Sequence, residues 1–277
     1  MEKRILKGRS TSDGAGVKLR RIFAHDHTSL TDPFLLLDHF GSISPDDYLK
    51  GFPWHPHRGI ETVTYMLKGR VDHGDSIGNA GTIGPGDIQW MTAGGGVIHQ
   101  EMPVRSEGGM FGLQLWVNLP ASHKMMPPRY RGILASEVPV VKTPQAEVRV
   151  IAGVYEDAEG PVRDLIVDVE YFDVRLKAGA FFFHETAKDY TRFCYLISGA
   201  AEIDGARLEA ANLALFTQPG RFEVNATEDT RYIFVTGQKL HEPIAWGGPI
   251  VMNTQEELKT AFQELDEGTF LKKTRPK

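Results

Sequence analysis

The chain has 277 residues, enough for one large domain or two of ordinary size. A net charge of −5 and a pI near 6.1 exclude a global basic field for nucleic acid. The single cysteine, Cys194, excludes an internal disulfide and any all-thiolate zinc or iron–sulfur site. The N-terminus lacks the apolar core of a signal peptide, and no run approaches the ~18 apolar residues of a membrane span. The expectation is a cytoplasmic protein, monomeric, that binds neither membrane nor nucleic acid directly. The 29 glycines and 16 prolines are spread along the chain, which suits many short strands joined by tight turns, an all-β class.

Residues 14–24 read as a strand, with Val17, Leu19 and Arg21 alternating with Lys18, Arg20 and Ile22. Residues 33–40 are apolar almost throughout and predict a strand buried on both faces; 41–47 are a loop by their turn residues. After Trp54-His55-Pro56-His57 comes a β-branched and aromatic strand from Glu61 to Leu67, turned by Lys68-Gly69-Arg70. A return strand starts at Val71, and a further strand, Ile88 to Met91, leads to Gly94-Gly95-Gly96 and then His99-Gln100-Glu101. Residues 111–117 alternate with Phe111, Leu113, Leu115 and Val117 inward, and the proline-rich stretch 119–128 is the best linker candidate.

The second half repeats this weakly. Residues 65–69 are echoed by 195–199 and residues 90–94 by 216–220, which suggests an internal duplication. His55 and His57 map there onto Glu185 and Ala187, so the second unit has lost, or never had, the ligands. In the tail, Thr254-Gln255-Glu256-Glu257 is a capping box that starts a helix with the apolar stripe Leu258, Ala261, Phe262 and Leu265, ended by Gly268.

Residues i and i+2 of a strand share a face, roughly 6.6 Å apart along it. His55 and His57 can therefore converge on one point, and so can His99 and Glu101. If their strands are neighbours, three imidazoles and a carboxylate meet. Such donors suit Fe(II), Mn, Ni, Cu or Zn. An octahedral ion keeps two positions open, whereas a closed tetrahedral zinc is filled by the four. Gly94, Gly95 and Gly96 remove side chains where something must approach closely, or form a flexible turn. His39 and His73 have no partner at ligand spacing and read as structural. His184 reads as a core-edge residue, and Cys194 as buried and inert.

Residues 52–69 and 86–103, with 249–254, resemble the motifs of the pirin family, bicupins of the cupin superfamily. The resemblance implies two stacked cupin (jelly-roll type) β-barrels with a short C-terminal helix. The expected domains are a metal-binding barrel over 1–130, a degenerate barrel over 131–240 and an extension with the helix over 241–277. It also implies mononuclear iron, Fe(II) first, held by His55, His57, His99 and Glu101. Ordinary cupins take their carboxylate from the position of Glu61. On a straight strand that residue lies roughly 13 Å beyond His57, so Glu61 is expected behind the ligands or paired with an arginine. The activity implied is that of a quercetin 2,3-dioxygenase, with Glu101 taking the flavonol hydroxyl proton if it loosens from the metal. Phe52, Trp54, Met91 and Trp116 are the candidate pocket walls for such an aromatic substrate. The alternatives are a redox-sensing transcriptional or metabolic co-regulator with a protein partner, and a binding or isomerase cupin on zinc or manganese.

Overall fold

The computed structural model describes residues 3–187, 189–203, 205–216 and 221–272. It divides into two compact units. The first comprises Ser10–His25, Phe34–Ala135 and Leu240–Lys277; the second comprises Met1–Arg9, Asp26–Pro33 and Ser136–Lys239. These units interleave along the chain, where contiguous blocks 1–130, 131–240 and 241–277 were expected. The reason is strand pairing and packing. Lys3–Lys7 pairs antiparallel with Asn212–Phe216 in the second unit, while the C-terminal helix packs on a hairpin of the first.

The first unit is built from two antiparallel sheets. The seven-stranded one runs in the order Arg129–Ile133, Ile88–Thr92, Ile60–Lys68, Met110–Asn118, Phe34–Ser42, Val17–Phe23, Arg9–Asp13. The four-stranded one runs Phe52–His57, Val97–Val104, Arg70–Asp75, Ala80–Ile83. Phe34–Ser42 is buried on both faces, as its composition predicts: Leu35 and Leu37 point one way, and Leu36, Asp38 and Phe40 line a cavity on the other. Met110–Asn118 departs from expectation. Leu113, Leu115 and Val117 are fully buried, but the cavity face of this strand carries Gln114 and Trp116. The stretch 119–128 is packed within the unit. Lys124, 2% exposed, donates from Nζ to Gly59 O, Asn118 Oδ1 and Val251 O at 2.9, 2.6 and 3.1 Å.

The second unit repeats the layout. Tyr190–Ser198 lies between Asn212–Phe216 and Thr230–Gln238, as Ile60–Lys68 lies between Ile88–Thr92 and Met110–Asn118. The echo in residues 195–199 therefore marks an equivalent strand; of the other echo, Thr217 to Gly220 lie outside the described residues. Its interior is a closed cluster that includes Phe172, Phe182, Phe222, Tyr232 and Phe234, with Cys194 fully buried among them.

The helix Gln255–Asp266 starts at Thr254 with the capping box in place: Thr254 Oγ1 accepts from Glu257 N, and the Glu257 carboxylate accepts from Thr254 N. Gly268 follows with φ +72°, the left-handed conformation that favours glycine after a helix end. Leu258 and Ala261 are buried, but Phe262 is 39% exposed, against its expected place in the stripe. Among the described residues no helix is long and apolar enough to cross a membrane.

Candidate metal centre

His55 and His57 stand on Phe52–His57, and His99 and Glu101 on Val97–Val104, and these two strands are paired directly. His99 lies opposite His55, and a register shift follows between His99 and Glu101. The alternation of each strand and this register bring the three imidazoles together. One ligand nitrogen from each lies within 4.8 Å of the other two. His57 and His99 are 3% and 2% exposed, while His55 faces the opening.

The hydrogen bonds of the rings decide what this cluster can hold. His55 Nδ1 lies 2.8 Å from Pro53 O and His57 Nδ1 lies 3.2 Å from Pro249 O. A carbonyl only accepts, so both Nδ1 atoms donate and both Nε2 atoms carry a lone pair. Those two Nε2 atoms face one another at 3.1 Å. His99 has no partner for either ring nitrogen among the described residues. Buried lone pairs pointed at each other, beside an orphaned imidazole, are unfavourable unless a cation sits between them. Burial holds His57 and His99 well below the usual histidine range, reinforced by neighbouring imidazoles, so they are neutral and ready to ligate.

Glu101, expected as the fourth ligand, is not in the group whose ligand atoms lie within 4.8 Å of one another; it is 7% exposed, lines the same cavity, and its Oε1 accepts from Thr64 Oγ1 at 2.9 Å. Thr64 Oγ1 also lies 2.8 Å from the side-chain amide oxygen of Gln114, so its one proton is shared between two acceptors. Burial pushes the Glu101 carboxyl up, against the downward pull of His55 and Thr64. Glu61 is placed elsewhere. It is fully buried, with Oε2 accepting from Trp90 Nε1 at 3.0 Å and Oε1 from Thr92 Oγ1.

A cavity of about 610 Å³ opens onto the site. His55, His57 and Glu101 line it, and Phe52, Trp54, Trp116 and Trp246 supply flat walls. The Trp116 ring stands edge-on to His57 at 5.1 Å, and His25 stacks on Trp246 at 3.8 Å. Met91 is not a wall. It is fully buried in a cluster with Leu35, Ile60 and Val97. The glycine triplet makes room for the chain itself: a Cβ on Gly94 would meet Met126 O at 2.2 Å, and Gly96 is covered by Phe270. His73 donates to or accepts from Tyr130 Oη at 2.7 Å and stacks on that ring, a structural role as expected. His39 packs edge-on to Phe111, and His184 bonds Glu170 at 2.9 Å at the edge of the second core.

Reading the sequence missed the tail's contribution to the site, Trp246 and the Pro249 carbonyl: the stretch 249–254 was noted as a motif, but nothing local says that it meets His57 nearly two hundred residues away. It also missed Thr64, Gln114 and Asp38. Gln114 had a signal, as the one polar side chain in the run 110–117, whereas Thr64 shares its strand with Glu61 and Thr62 and Asp38 stands next to His39.

Comparison with known proteins agrees with this geometry. The pirin family model matches residues 16–117, and the pirin C-terminal cupin domain matches residues 171–271. A pirin-like protein of Caulobacter vibrioides is 42% identical over 96% of this chain and 98% of its own length. A Pseudomonas aeruginosa protein that provisionally bears the name quercetin 2,3-dioxygenase is 41% identical over 95% of each chain. The crystal structure of a quercetin 2,3-dioxygenase from Acinetobacter baumannii superposes with a TM-score of 0.89 at 36% identity, covering 96% of both chains. Two cupin units, a three-imidazole cluster in the first and relatives matched along their full length lead to one conclusion: the chain is a bicupin that belongs to the pirin family.

Proposed function

We propose that this chain is a mononuclear iron protein that opens a flavonol-type aromatic substrate with dioxygen, as a quercetin 2,3-dioxygenase does. The proposed ligands are His55, His57, His99 and Glu101. Mn, Ni, Cu and Zn are ions the same donors accept. The observation that carries the reading is a juxtaposition: a cavity large enough for a small aromatic molecule, walled by tryptophans, reaches the imidazole cluster itself. An iron ion held there would supply Lewis acidity toward a substrate hydroxyl and electron exchange with dioxygen.

The chain's own residues do the rest. Trp54, Trp116 and Trp246 hold a planar ring and keep water off it. Released from the ion, Glu101 would be a proton acceptor, its buried carboxyl holding a proton better than an ordinary glutamate, and Thr64 fixes which way it faces. The carbonyls of Pro53 and Pro249 fix the imidazole tautomers. A regulator without turnover has no need of an aromatic chamber over its metal, which favours the enzyme. The test is oxygen uptake with quercetin by the iron-loaded protein, with His99→Ala as control. Uptake that falls to background in the variant supports the reading; no uptake by the fully iron-loaded protein ends it.

A further inference from the structure

One row of side chains on the cavity face of the seven-stranded sheet is polar where its neighbours are apolar. Arg21 pairs in register with Asp38, Asp38 with Gln114, and Gln114 with Thr64. The row therefore crosses four adjacent strands in a line and ends at the hydroxyl that holds Glu101. Arg21, Asp38 and Gln114 all line the cavity. Along their own strands the residues two places away are apolar or small: Leu36 and Phe40 beside Asp38, Gly112 and Trp116 beside Gln114.

The row is joined everywhere except at one step. Arg21 Nε and Nη2 donate to Asp38 Oδ1 and Oδ2 at 3.0 and 2.8 Å. Gln114 meets Thr64 at 2.8 Å. Between Asp38 and Gln114 there is no hydrogen bond among the described residues, although they are cross-strand neighbours roughly 5 Å apart. Each Asp38 oxygen accepts one bond from Arg21 and keeps a free acceptor site, and the Gln114 amide keeps donors. The two side chains stand in register on the cavity face, so a ligand hydroxyl seated over this step can meet both. Asp13 also bonds Arg21, at 2.7 Å, so Arg21, Asp38 and Asp13 sum to one negative charge, which disfavours a carboxylate there. A buried ion pair also adds little stability over apolar residues of the same shape, so stability alone is a weak reason for this one.

We infer that the Asp38–Gln114 step is the specificity-determining contact of the cavity, and that it takes a neutral ligand hydroxyl that donates to Asp38 and accepts from Gln114. This rests on the cavity being the substrate site. The step lies one to two strand spacings, roughly 7 Å, from Thr64. A hydroxyl that reaches it is therefore carried on a ring remote from the group at the imidazoles. The ligand class is an aromatic with a hydroxylated pendant ring.

The experiment measures binding, separately from turnover. The protein is loaded with zinc, which does not exchange electrons. Quenching of its tryptophan fluorescence gives affinities for 3-hydroxyflavone, 3,3′,4′-trihydroxyflavone and 3-hydroxy-3′,4′-dimethoxyflavone. These share the group that faces the imidazoles and differ only on the pendant ring. The free hydroxyls are expected to improve affinity roughly tenfold, the worth of a hydrogen bond to a charged group, and methylation to abolish the gain. In Gln114→Met, and in the paired apolar variant Arg21→Met with Asp38→Leu, the ratio should fall to within about twofold of unity. The ratio is taken within one protein, so partial loss of folded material does not change it. Equal affinities in the wild type, a gain that survives methylation, or a ratio unchanged in both variants each overturns the inference. Preference without oxygen uptake by the iron form would remove the dioxygenase reading and leave the recognition contact standing; uptake without preference would do the reverse.

Discussion

At the scale of single residues the site is decided by which nitrogens already have hydrogen-bond partners. Pro53 and Pro249 each occupy one nitrogen of a ring, which leaves the other to aim at a shared point. His99→Ala removes one of the four proposed ligands, and the purified variant should carry less than a tenth of the wild-type metal by elemental analysis. Acid should act on the metal-free protein as well. Burial keeps His57 and His99 neutral when folded, whereas in the unfolded chain they take up protons in the ordinary histidine range. Below about pH 6.5 the unfolded state therefore binds more protons. Stability falls as pH drops through that window, by about 1.4 kcal/mol per pH unit for each imidazole. Urea unfolding at pH 7.5 and 5.5 checks this, and the slope should shrink in a His57→Gln/His99→Gln variant. These residues were legible in the sequence because two ligands at i and i+2 need only a strand to share a face. Thr64 and Gln114 were not singled out, since a polar residue in a strand does not say which cavity it faces.

At the scale of elements, the C-terminal tail completes the first unit. Arg58, next to His57 and 2% exposed, donates from Nε to Gly95 O at 2.9 Å and from Nη2 to Phe270 O at 2.8 Å. It pairs with Glu264 of the helix at 2.7 Å and lies 4.2 Å from the Phe270 ring centroid. One guanidinium thus joins the end of the strand that carries His55 and His57, the loop before the strand that carries His99, and the tail. Gly59 fits the same junction: its φ is +77°, and a Cβ there would meet Val251 O at 1.9 Å. Arg58→Ala should cost about 3 kcal/mol of stability in urea and lower metal occupancy together. Glu264→Gln, at a partly exposed partner, should cost about 1 kcal/mol or less. A result with the order reversed would show that the pair, not the carbonyl bonds, holds the tail. The helix itself was readable from its capping box. Its anchor was not, because Arg58 and Phe270 are 212 residues apart and nothing local links them.

At the scale of the whole molecule, one architecture appears twice with two fillings. The first unit keeps imidazoles and a cavity. The second packs its interior with aromatic rings, and among its described residues no comparable ligand cluster is present. The duplication was visible in the short echo at 195–199, yet the exchange of Lys3–Lys7 into the second unit was not, because a five-residue edge strand does not announce its partner. One metal ion per chain is the expected stoichiometry, and His184→Ala should leave it unchanged. Cys194 reports the second unit: it is fully buried and its thiol is pushed up by burial, so a thiol reagent should label it only on unfolding. The measurement that bears most directly on all of this is anomalous scattering at the iron edge from crystals of the iron-loaded protein. The account predicts a single peak per chain, at bonding distance from Nε2 of His55 and His57, a ring nitrogen of His99, and a carboxylate oxygen of Glu101. A peak away from that cluster, or none at full iron loading, would contradict it.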